Sequence, residues 1–285
     1  MSKIKIRKYS TEIIGIVLSF IVLSPFALVL FNSAKESASI VISPIGPPDN
    51  WQQLFINIKN VINNQNFNYW NSFKNSIIIT VVSLLLLTLF SSMAAWVLCR
   101  NKKRWADIVF MLFVSSMVIP FQVVMLPLLS TFRGISSFTG IDMLGSYQGI
   151  IFAYLGFGGA MSVFILHGFI KGIPYELEEA AWIDGCSSER TFFSIIFPLL
   201  KPVQMTVLIL NGIWLWNDYL LPSLMLGLNG KIKTLPVAVS SFVGSYVKQW
   251  DLILTAAFLA MIPIIILFLF AQKQIIQGMV EGAIK

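Results

Sequence analysis

Few residues in this chain of 285 could carry covalent chemistry. It holds one histidine, His167, and two cysteines, Cys99 and Cys186. One imidazole and two thiols make neither a disulfide framework nor a zinc site. No HExxH, CxxC or GxxxxGK pattern occurs, so neither a metalloprotease nor a nucleotide-binding loop is in view. The polar residues worth weighing fall in two places. One is an acidic run, Glu176, Glu178 and Glu179, followed by Asp184-Gly185. The other is Asn211, Trp214, Asn217 and Asp218. Asn211, Trp214 and Asp218 lie at helical spacing on one face, with Asn217 adjacent. An indole with amide and carboxylate groups suits hydroxyl-rich rings, and it suits packing against a partner chain equally well.

Composition says what must position these groups. Hydrophobic residues make up 56% of the chain and charged residues 12%, with 23 Phe and a mean hydropathy of +0.80. A soluble domain carries roughly a quarter charged residues, so this is a membrane protein. The net charge of +7 is no nucleic-acid footprint, because the basic residues sit in short clusters between apolar runs. A crossing helix needs about 20 apolar residues. No charged residue occurs in 13–34, 75–99, 108–132, 143–170, 202–217 or 252–272. These intervals predict an all-α membrane protein with six transmembrane helices, near 13–31, 73–98, 108–131, 147–170, 203–224 and 252–272. The fifth continues apolar past Asp218 through Leu228. The third is expected to kink at Pro120 and Pro127, with Gln122 meeting a freed carbonyl. Gly156, Gly158 and Gly159 are expected to permit close helix contact in the fourth, and His167 to pack at a helix interface.

Lys and Arg set the orientation. Thirteen fall on the side of the N-terminus, residues 100–104, the 171–201 loop and the C-terminal tail; seven fall on the other, mostly in its longer loops. Residues 1–12 and the tail 273–285 are therefore expected in the cytoplasm, flanking a transmembrane domain at 13–272. Basic residues before Ile13–Phe31 also fit a cleaved signal peptide, but the run is long and Asn32-Ser33-Ala34 is a poor cleavage site. A retained anchor is the expectation. The external stretch 32–72 contains Pro44, Pro47 and Pro48, and Trp51–Ile62 reads as an amphipathic helix on the outer surface.

The cytoplasmic stretch 171–202, KGIPYELEEAAWIDGCSSERTFFSIIFPLLKP, describes two short helices joined at a glycine. Pro174 suits a first helical turn, and the three Glu residues follow near the positive end of the helix dipole. Asp184-Gly185 is a helix stop. Ser187 or Ser188 can cap a second helix that runs to Pro198. An amphipathic connector would look like this, and so would a docking plug for a soluble partner.

Glu179-Ala180-Ala181, three residues, Gly185, nine residues, Ile195, one residue and Phe197-Pro198 resembles the EAA loop of ABC importer permeases, whose usual Leu is here Phe197. The resemblance implies that the loop forms coupling helices seated in a cleft of an ATPase subunit. Glu179, Ala180, Ala181, Asp184, Gly185, Ile195 and Pro198 would be the coupling residues, with the two alanines allowing close approach. IPYELEEAAWIDG at 173–185, WNDYLLP at 216–222, TLPVAV at 234–239 and the tail 272–285 are similar to the carbohydrate branch, the maltose-type (MalG-like) permeases. That branch implies a non-catalytic subunit of a binding-protein-dependent importer for sugars or oligosaccharides, in a bacterial cytoplasmic membrane and in contact with lipid. Its partners would be a homologous second permease, two ATP-binding cassette ATPases holding the ATP and Mg, and an extracytoplasmic solute-binding protein reached by the external loop 226–250. No cofactor or metal would belong to this chain. Asn211, Trp214, Asn217 and Asp218 would be candidates for the sugar path. Two alternatives stand beside it: an importer of the same class for phosphate, polyamine or an amino acid, and an ion-gradient transporter. The second should show buried charge relays or inverted repeats, and neither is seen.

Overall fold

The computed structural model describes residues 2–65, 67–228, 230–240 and 249–283. In chain order the helices are α1 (Ser2–Ser33), α2 (Ser37–Ile42), α3 (Gln52–Asn63), α4 (Tyr69–Arg100), α5 (Arg104–Ser116), α6 (Phe121–Thr139), α7 (Tyr147–Ile170), α8 (Glu176–Ile183) and α9 (Ser188–Thr191). A π-helical turn (Phe192–Ile196) then leads to α10 (Phe197–Leu199), α11 (Lys201–Asn217), α12 (Leu220–Met225), α13 (Leu235–Ser240) and α14 (Trp250–Ala283). No strand occurs among the described residues.

Among the described residues, four helices are long and apolar enough to cross a bilayer: Thr11–Ser33 within α1, α4, α7, and Trp250–Leu269 within α14. Two bent pairs bring the count to six if each is one crossing: α5 with α6 at 110°, and Ser188–Leu199 with α11 at 73°. Ile13, Val17, Phe20 and Leu23 of α1 are all exposed. Such a sleeve of bare hydrocarbon belongs in lipid, where a helix satisfies its own backbone.

Two expected helices are interrupted. The third, expected over 108–131, ends at Ser116 and restarts at Phe121. Pro120 is extended there (φ −63°, ψ 136°); it has no N–H to give and keeps the preceding residue out of helical geometry. Pro127, the other expected kink, lies inside α6, and Gln122 is exposed in its first turn. The fifth, expected over 203–224, ends at Asn217. Asp218 is extended (φ −70°, ψ 125°), and its Oδ1 accepts the N–H groups of Leu220 (3.0 Å) and Leu221 (3.4 Å), starting α12 afresh. At the ends of the chain, 2–12 and 273–283 continue α1 and α14 as helix. Of the external loop 226–250, residues 229 and 241–248 lie outside the described residues, as do 284–285 of the tail.

The chain divides into two compact units. The first comprises Met1–Trp70 and Ala238–Pro263. Here the amphipathic helix expected at Trp51–Ile62 is α3, and it is tied to the end of α1. Asn57 is fully buried, and its Nδ2 donates to the carbonyls of Ser33 (2.9 Å) and Lys35 (2.8 Å), which a helix end leaves unpartnered. The buried Lys35 ammonium donates to Asn32 Oδ1 (3.1 Å) and to the carbonyls of Ser43 and Gly46 (2.6 Å each).

The second unit comprises Asn71–Val237 and Ile264–Lys285. Its core has two parts. Near the 171–201 loop, Ala95 and Leu98 of α4, Leu166 and Ile170 of α7, and Phe192 and Ile196 pack together. Near α12, Ile79, Ile150, Tyr154, Leu215 and Met225 do the same. Of the three glycines expected to permit close packing only Gly158 does so. A Cβ there would stand 2.6 Å from Leu87 Cδ1 and 2.9 Å from Asn211 Oδ1, whereas at Gly156 and Gly159 it would meet nothing within 4 Å. His167 is buried, its ring stacked on Phe110 at 3.9 Å between centroids, a packing residue between α5 and α7.

Candidate functional site

The 171–201 loop is built from its terminators. Gly185 adopts φ +80°, where a side chain would be strained. Its N–H donates to Trp182 O (3.0 Å) and that of Cys186 to Ala181 O (2.9 Å), the paired bonds that end a helix at a left-handed glycine. Ser187 caps the next helix, its Oγ accepting the Arg190 N–H at 3.3 Å. The Glu189 carboxyl is held below the usual range by its own backbone amide and the Ser187 hydroxyl. The ladder then widens into the π turn, in which the Phe197 N–H donates to Phe192 O, just ahead of Pro198, which has no N–H to continue it.

These turns sort the candidate residues. Glu179, Ala180, Asp184, Gly185 and Pro198 are exposed, Ile195 is half-buried and Ala181 is buried. Ala181 therefore packs α8 against its own protein. Around the exposed acids stand Leu177, Trp182, Ile183 (86% exposed) and Phe193. Acidic and apolar groups thus share one accessible surface.

Beneath that surface lies an ion pair. Glu178 is 0% exposed. The Arg100 Nε–H donates to its Oε1 at 2.7 Å and the Trp96 Nε1–H to its Oε2 at 3.0 Å. Arg100 Nη2 also donates to Ile173 O at 2.9 Å, and the guanidinium lies over the Tyr175 ring, 5.5 Å from its centroid. Removing either partner of such a pair leaves a buried charge uncompensated, at a cost of about 3–5 kcal/mol.

The fifth-helix residues are divided. Asn211 is 3% exposed, and its Nδ2 donates to Ser162 Oγ (3.1 Å) and Val207 O (2.9 Å). Besides capping α12, Asp218 accepts the Tyr154 O–H at 3.1 Å. Trp214 is 39% exposed and meets Tyr154 edge-on at 5.6 Å. Asn217 is exposed, its Nδ2 donating to Ile213 O. Among the described residues, no three His, Cys, Asp or Glu side chains gather where they could hold a metal ion.

Residues 87–281 match the binding-protein-dependent transport system inner membrane component family. The chain belongs to that family. It is thus a multi-pass inner-membrane permease subunit, and the ion-gradient alternative is set aside. The permease is 39% identical, over the full length of both chains, to the probable starch degradation products transport system permease protein AmyC of Thermoanaerobacterium thermosulfurigenes. It is also 39% identical over 75% of its length, and 76% of the relative's, to the melibiose/raffinose/stachyose import permease protein MelC of Bacillus subtilis. In fold it superposes with TM-score 0.76 and 18% identity on a bacterial ABC transporter involved in the import of the acidic polysaccharide alginate, covering 94% of this chain and 96% of that one.

Two site residues of the permease escape a reading of the sequence. Arg100 reads as a topology signal and Glu178 as one acid among three; they are 78 positions apart. A usable signal is helical phase, since Glu178 stands three residues before buried Ala181 and so lies on the inward face of α8.

Proposed function

We propose that this permease forms one wall of a pathway for a sugar or oligosaccharide. It would work beside a homologous second permease, two ATP-binding cassette ATPases and an extracytoplasmic solute-binding protein. The observation that carries this reading is the loop from Pro174 to Pro198: an exposed acidic and apolar surface held over a buried ion pair. That surface suits a cleft on a soluble partner. Sugar as cargo is supported by the saccharides in the names of AmyC, MelC and the alginate importer. In this reading the loop and both termini lie in the cytoplasm, ATP and Mg belong to the ATPases, and this chain performs no catalysis. Glu179, Ala180 and Asp184 meet the ATPase. Ala181, Gly185, Ile195 and Pro198 give the loop its shape. Trp214 and Asn217 face the sugar path, while Asn211 and Asp218 hold its frame.

Cys186, half-buried and directly after Gly185, supplies the test. In inside-out vesicles carrying the assembled transporter with Cys99→Ser, a water-soluble maleimide should label Cys186 readily only after the ATPases are stripped. Adding them back should restore protection. Labelling indifferent to the ATPases would reject the docking role, and failure of the reconstituted transporter to take up any labelled oligosaccharide would reject the cargo.

A further inference from the structure

Helix α4 grips a loop at each of its ends. At one end Arg100, its last residue, and Trp96, one turn back, hold Glu178 of α8. At the other, Asn75 Nδ2 donates to Lys233 O at 3.0 Å and the Leu235 N–H donates to Ser76 Oγ at 2.8 Å. Asn75 is itself fixed, its Oδ1 accepting the Tyr147 O–H at 2.7 Å. Asn75, Ser76, Glu178 and Leu235 are all buried, so water does not compete for these bonds. Between the two grips α4 contains neither Gly nor Pro and spans roughly 38 Å at 1.5 Å per residue.

The helices covalently joined to the 174–198 loop offer poorer levers. α7 reaches it through the non-helical Gly172-Ile173-Pro174. α11 leaves it at a 73° bend and stops at Asn217. A charge pair buried in this way cannot slide without stranding a charge, so α8 and α4 must move together.

We infer that α4 is the rod that carries displacement of the 174–198 loop to the external segment 231–235, in preference to the two helices that continue the loop in sequence. This rests on the proposed function in taking the ATPases to be what moves the loop, and in placing the loop in the cytoplasm and 231–235 outside.

The test uses the assembled transporter in right-side-out vesicles, with Lys231→Cys as the reporter. Lys231 is exposed, and an impermeant maleimide added outside does not reach the cytoplasmic Cys99 and Cys186. Its labelling rate is compared with ATP and vanadate inside and with no nucleotide, and co-purification of the ATPases is measured for every variant. The reporter protein alone should show a nucleotide-dependent change in rate. Glu178→Gln and Asn75→Leu should each shrink that change by at least about fivefold, the low end of ordinary coupling between sites. Because the grips act in series on one rod, the double variant should be no worse than the stronger single one. A reporter rate that ignores nucleotide, single variants with the full response, or losses that multiply in the double variant would each overturn the rod. Should Glu178→Gln fail to assemble, Arg100→Lys keeps the charge but gives up the guanidinium fork, and an assembled complex should then respond at an intermediate level; a full response would overturn the inference. Failure of the docking role itself looks different, because the ATPases would not co-purify with the reporter protein at all.

Discussion

The 171–201 loop and the corner between α11 and α12 both gather acids and aromatic rings, and they use them in opposite ways. In the loop, one acid of five is buried and paired, and the others are exposed, as are Leu177, Trp182 and Ile183. At the corner, the carboxylate and one amide are engaged within the protein: Asp218 with Tyr154 and the start of α12, Asn211 with Ser162 and Val207. The loop is an outward surface on an ionic footing, and the corner is mostly frame with an exposed indole at its edge. A polar residue in an apolar chain therefore needs its partners counted before it is assigned to a pathway, since a buried polar group must first be satisfied.

The largest effect expected to break this contrast comes from Arg100→Ala. It leaves Glu178 buried without its counter-charge, and denaturation of the purified permease in detergent should show a loss of about 3–5 kcal/mol. A loss near zero would mean that water already reaches Glu178. Next is Gly185→Val, which forces a β-branched residue into the left-handed region at roughly 1–2 kcal/mol. The chain should still insert, while stimulation of the ATPases by the binding protein falls sharply; wild-type stimulation would separate the loop from coupling. Asn211→Ala should cost about 1 kcal/mol through lost hydrogen bonds, seen as a lower melting temperature of the complex. Trp214→Ala should change stability least, within about 1 kcal/mol because the ring is partly exposed, while lowering sugar uptake. If Trp214→Ala instead dissolves the complex, the indole belongs to the frame with Asn211.

How far the sequence reaches differs between these regions for a physical reason. Lipid tolerates no charge along a crossing, so charge-free intervals locate α4 and α7 to within a few residues. The same criterion is blind to direction. Residues 117–120 are as apolar as their flanks, and only Pro120 hints at the 110° turn between α5 and α6. Hydropathy likewise carried the fifth helix past Asp218, because a side chain that restarts a helix by accepting two N–H groups alters no apolar average. Gly185 was legible, since a left-handed stop leaves its mark in one residue type. The Glu178–Arg100 pair was not, because nothing local ties position 100 to position 178.

The π turn at Phe192–Ile196 has one further consequence. A regular helix advances about 100° for each residue, so a turn holding one residue more than its share resets the phase of everything after it. Phe192 and Ile196 both point into the core while Phe193 stands out, and the stretch that follows starts from a rotated bearing. The orientation of Pro198 and Leu199 is thus written in the number of residues before them as well as in their kinds. Deleting the exposed Ser194 would leave every acidic group of the loop in place, yet turn its final stretch, Phe197 included, by about a quarter of a revolution.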